Sequence, residues 1–201
     1  MKLSTKNPEV VAFVKYVKEL CNEHGVKLDI RNTNYIWCDG SRVSGYFDGS
    51  NKELRMAGNI PNALSIFVHE FSHMTQWLEE GSIWHTASDD LVKLDAWLAG
   101  KRVNRIIGII DEIRDLEDDN ERRAVKIIKK HKLPIPIKDY IRAANSYIFF
   151  HEHLKRTRRW AKPTNRPYDN KNILSVCPDK FLDDYPKYFE KIAHVYEAEK
   201  I

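Results

Sequence analysis

The residues of this chain best suited to do chemistry are two histidines four positions apart with a glutamate between them. They lie in LSIFVHEFSHMTQWL, residues 64–78, as His69-Glu70-Phe71-Ser72-His73. Residues four apart share one face of a helix. His69 and His73 would therefore aim two imidazoles at one point, with Glu70 on the flank. This HExxH spacing suits a Zn²⁺ ion held by the two imidazoles, with the carboxylate beside it as a general base. Ile66, Phe67, Val68, Phe71, Met74 and Leu78 make the rest of the segment an apolar core helix. A plainer reading is that both histidines are hydrogen-bonded members of a core or its rim. A third ligand is what separates the two readings.

Residues 101–132 offer one. A helical stripe runs through Ile106, Ile110, Ile113, Glu117, Glu121, Ala124 and Ile128 in steps of three and four. Two carboxylates stand where the pattern asks for apolar residues, and burying them is costly without a compensating cation. Alternatively the stripe swings toward Leu116, Asn120 and Ile127 and leaves both acids in water. Given the HExxH helix, the first reading is favoured, with Glu117 or Glu121 as the third ligand. His85 is a lower-ranked candidate in the segment SIWHTAS, residues 82–88, expected to be a loop.

The elements that must position these residues follow from pattern. Asn7-Pro8 opens a helix over 8–24 that Gly25 stops. Residues 26–57 change period. Val26–Ile30, Tyr35–Cys38, Val43–Phe47 and Glu53–Ala57 read as strands, with Asp39-Gly40 and Asp48-Gly49 as turns. A small antiparallel sheet is expected directly before the metal helix, which spans 62–80 and ends at Gly81. A short helix over 89–100 and the third-ligand helix over 101–132 follow. Pro134 and Pro136 then break the chain before a helix beginning at Asp139. On that helix Tyr147 and His151 are four apart, and either could turn a polar tip toward the metal site as an oxyanion stabiliser. The last part, 155–201, is a basic segment (Lys155, Arg156, Arg158, Arg159, Lys162, Arg166 and Lys171) and a final helix over 179–200. Its cations could bind nucleic acid, but a solvated or acid-facing surface is the stronger expectation, with the acidic stretch Asp111–Glu121 as a possible internal partner. With no internal repeat and no linker, residues 1–201 read as one α+β domain, mostly helical.

Composition narrows the class. The chain has 201 residues, 42% hydrophobic and 31% charged, with a net charge of +4, which describes a globular protein with no strong pull toward nucleic acid. Cys21, Cys38 and Cys177 stand far apart, which excludes a Cys-rich zinc cluster and argues for a reducing compartment. The start, MKLSTKNPEVVAFV, has no secretory pattern, and no apolar run approaches a membrane span. A cytoplasmic protein without a membrane partner is expected.

The run GYFDGSNKELRMA, the capped helix carrying HEFSHMTQW and then EDDNERRA resemble the gluzincin zinc metallopeptidases, most closely small ones encoded by bacteriophages. The likeness covers about residues 43–80 and 110–150. It implies a minimal zincin-like domain, one zinc ion per chain, a peptide or protein substrate and, for a phage protein, the host cytoplasm. It also implies that His69, His73 and Glu117 ligate, and that Glu121, four residues on, hydrogen-bonds a ligand histidine. The second acid is Glu where the family more often has Asp, and Glu121 as the ligand stays open. Glu70 would be the general base, and the peptide would pair with the strand Glu53–Ala57 or its neighbour. The rival readings are a non-catalytic zincin scaffold acting as a binding or virion-associated protein, a nucleic-acid-associated protein using the basic segment, and a hydrolase of another amide.

Overall fold

The computed structural model describes residues 3, 6–38, 40–79, 82–162 and 164–201, the side chains of 82, 83, 85 and 87–89 excepted. The ligand reading of His85 thus falls outside the described residues. The fold is α+β and mostly helical. Helix α1 (Pro8–Glu23) is followed by β1 (Lys27–Arg31), β2 (Ile36–Cys38), β3 (Ser41–Val43), β4 (Gly45–Asp48) and β5 (Glu53–Ala57). Then come α2 (Ala63–Leu78), α3 (Ser82–Leu98), α4 (Ile106–Lys130), α5 (Ile137–Thr157), a 3-10 turn (Pro167–Asp169), α6 (Lys171–Val176) and α7 (Tyr185–Ala198). Among the described residues no helix is long and apolar enough to cross a membrane.

The chain divides into two compact units, residues 1–80 with 123–135, and residues 81–122 with 136–201. In the first unit the Asn7 side chain caps α1 by accepting from the Val10 amide at 3.0 Å, as its sequence signature requires. Helix α1 then sets Phe13 edge-on to Phe67 and Phe71 of α2 at 5.6 and 5.7 Å. Val10, Val17, Leu54, Met56, Leu64, Val68, Ala124 and Ile128 complete this core. The second unit has its own core, in which Ile110 and Ile113 of α4 join Ile148 and Phe149 of α5 and Phe189 and Tyr196 of α7.

The sheet corrects the expectation of antiparallel pairing. Its order is β1-β5-β4, with β5 antiparallel to β4 but parallel to β1, in the register Leu28↔Leu54 and Ile30↔Met56. Alternation in Val26–Ile30 sets which side chains face the core but not the direction of the partner strand. The intervening chain, 32–52, is long enough for the crossover that parallel pairing needs. It carries β2 and β3 as a separate hairpin, paired Cys38↔Ser41 across a turn in which Gly40 has φ +76°. Because β5 lies in the middle of the sheet, it has no edge for a peptide, and only its neighbours do.

Two helices also depart from expectation. The segment 82–88 is the first half of α3, not a loop, since residues 82–98 contain no Gly or Pro to stop a helix. Residues 101–105 precede α4, which starts after Arg105 at φ 58°. The last helix begins at Tyr185, six residues later than expected, where the Asp184 side chain accepts from the Lys187 amide and Pro186 occupies the first turn.

Candidate metal centre

Helix α2 presents His69, Glu70 and His73 because its opposite face is claimed by the core. Phe67, Val68, Phe71 and Met74 are buried, while His69 and Glu70 are only half-buried. The two imidazoles are 4.8 Å apart, centre to centre, with their planes crossed at 89°. One turn further on, Gln76 Oε1 lies 2.9 Å from His73 Nδ1. An amide oxygen can only accept, so Nδ1 is the donor in this bond. Both residues are buried, His73 at 9% exposure and Gln76 at 2%.

Glu70 is held from below by β4. A Cβ on Gly45 would sit 3.0 Å from Ile66 Cγ2 and 3.1 Å from Glu70 Cγ, closer than side chains normally pack. The glycine is there for close approach of helix to strand, and the stem of Glu70 fills the space.

Helix α4 places the two acids as the stripe predicted. Ile110, Ile113, Ala124 and Ile128 are buried, Glu121 is buried at 6% exposure and Glu117 is half-buried. Leu116 and Asn120 are buried as well. The inward sector is therefore wide enough to satisfy both alignments of the stripe, and the acids are not left wholly in water. Glu121 Oε2 accepts from the Tyr140 hydroxyl at 2.6 Å. The end of α4 is anchored beside α2: Arg123 pairs with Glu79 at 2.7 Å. One donor atom from each of His69, His73 and Glu117 lies within 4.8 Å of the other two, the group of three such residues found among those described.

Tyr147 and His151 project from α5. His151 is fully buried, its Nδ1 donates to the Tyr147 carbonyl at 3.1 Å, and its Nε2 has no hydrogen-bond partner among the described residues. Burial pushes its pKa down, opposed in part by the Glu117 carboxylate, so the ring is neutral with Nε2 as an acceptor. Tyr147 packs its ring edge-on to His151 at 5.1 Å.

The first part of the basic segment is engaged within its own unit. Lys155 pairs with Asp111 at 2.6 Å and with Glu152 at 2.8 Å, Arg156 pairs with Glu190, and Arg158 donates to the Trp97 and Lys101 carbonyls. Among the described residues the acidic stretch supplies a partner, Asp111, to Lys155. Reading the sequence missed Gln76, Gly45 and Tyr140. The first was visible as a polar residue one turn past His73 inside an apolar helix, and the other two depend on packing between distant segments. Comparison with protein-family models, with curated proteins and with solved structures finds no match to this chain.

Proposed function

We propose that the chain is a zinc-dependent metallopeptidase of the gluzincin type, binding one zinc ion through His69, His73 and Glu117. The observation that carries this reading is the approach of three donor atoms within 4.8 Å, two of them from the HExxH pair. The donor set fits the ion: two imidazoles and one carboxylate, leaving a fourth position for reactants. When bound, zinc would supply Lewis acidity, polarising a scissile carbonyl and acidifying water. Glu70 takes the proton of the attacking water and hands it to the leaving amine. Glu121 steadies a ligand imidazole. Tyr147 suits the oxyanion better than His151, since a phenol is a donor at neutral pH whereas Nε2 of a neutral His151 only accepts. The substrate backbone pairs along β4, an edge strand that also touches Glu70. Engagement of Lys155, Arg156 and Arg158 by acids and carbonyls of their own unit takes support from the nucleic-acid reading.

The test is zinc content per chain together with hydrolysis of a peptide library. Wild type should hold one zinc and His73→Ala none, while Glu70→Gln should keep zinc and lose about 10²–10⁴-fold in rate. Equal metal content in wild type and His73→Ala removes the centre. Zinc without hydrolysis of any peptide points to the non-catalytic scaffold.

A further inference from the structure

Resting on the metal centre proposed above, we propose that Gln76 is a positioning residue that fixes the tautomer of His73 for metal binding. Imidazole in water prefers to keep its proton on Nε2, the nitrogen that a helix-borne histidine extends toward a ligand. A ring in that form must move its proton before it can donate a lone pair. Gln76 Oε1, 2.9 Å from Nδ1, accepts a hydrogen bond only if the proton sits on Nδ1. With the amide in this orientation and both side chains buried, the alternative tautomer would set two lone pairs against each other without water to separate them. The bond therefore orients the ring and, in the neutral imidazole, puts the lone pair on Nε2.

The local sequence makes this possible at little cost. Positions 73 and 76 are one turn apart on α2, so the contact needs no other element to form. The same turn is tied by Thr75 Oγ1, which donates to the Ser72 carbonyl at 2.7 Å. An apolar residue would be the ordinary occupant of position 76, which is 2% exposed in an apolar helix. Its replacement by an amide aimed at a candidate ligand is what the proposed role explains.

Three full-length proteins test it: wild type, Gln76→Leu and Gln76→Glu. The zinc dissociation constant is measured by competition with a chromophoric chelator, and the His73 tautomer by two-bond proton–nitrogen correlation in chelator-treated protein. Wild type should show the Nδ1–H form of His73. Gln76→Leu should shift the ring toward Nε2–H and weaken zinc binding about 10–100-fold. Gln76→Glu, which keeps an acceptor at the same reach, should retain tight binding. Unchanged affinity in Gln76→Leu, or equal loss in both variants, overturns the role and leaves the metal centre standing. If wild type binds no zinc, the centre falls, and an Nε2–H tautomer in that protein overturns the assignment to Gln76 as well.

Discussion

The Tyr140 hydroxyl donates to a buried carboxylate of the second unit, that of Glu121. A carboxylate at 6% exposure loses most of its hydration, and the hydroxyl at 2.6 Å restores part of it with a charge-assisted hydrogen bond. Removing that donor takes one hydrogen bond from a buried acceptor. Tyr140→Phe is expected to lower unfolding free energy by roughly 1.5–3 kcal/mol, read as a lower urea midpoint at unchanged slope. Glu121→Gln retains an acceptor for the hydroxyl and should cost less. Equal midpoints for wild type and Tyr140→Phe would show that the bond contributes nothing. At this scale, spacing decided what was legible. His69 and His73 are four apart and Glu117 and Glu121 are four apart, so their shared faces could be read without a structure. Tyr140 reaches Glu121 across a helix break, and no local pattern carries that. Gln76 lay within one turn of His73, but an amide gives a weaker signal than an acid.

At the scale of elements, the packing of α2 on β4 sets where Glu70 can stand. Gly45 allows it, because any larger residue would press on Ile66 Cγ2 and Glu70 Cγ at 3.0 and 3.1 Å. Gly45→Ala should cost about 1–3 kcal/mol through overpacking and displace the Glu70 carboxylate without touching either imidazole. The expected outcome is a fall in kcat with KM and zinc content close to wild type. Loss of zinc instead would mean that the whole helix shifts. The strands themselves were legible from alternation, and α1 from its Asn-Pro cap and Gly stop. The partner of β1 was not, since alternation in Val26–Ile30 is the same for parallel and antiparallel neighbours. The first half of α3 was misread because Ser82, His85, Thr86 and Ser88 look loop-like one by one, whereas the absence of Gly and Pro is a property of the whole segment.

Across the whole molecule, a half-buried histidine in the first unit and a buried one in the second make stability depend on pH. In the first unit His131 lies against Phe13 and Tyr16 at 5.0 and 4.8 Å, and burial, with Lys130 adding to it, lowers its pKa. In the second, His153 is bonded to the Ile201 carbonyl and is likewise lowered by burial. Each folded pKa lies below the unfolded value of about 6.5, so the unfolded chain takes up these protons first. Their contribution is fully present above the unfolded pKa and is lost as pH falls through it toward the folded value. In chelator-treated protein, where zinc binding cannot add its own pH dependence, the thermal midpoint should be flat above about pH 7.5 and fall as pH drops toward 5.5. His131→Phe keeps an aromatic ring against Phe13 and Tyr16 but cannot take a proton, so its midpoint should fall less steeply over the same range. A slope equal to that of wild type would assign the acid sensitivity to other groups. A midpoint that rises as pH falls would contradict the lowered pKa of both histidines.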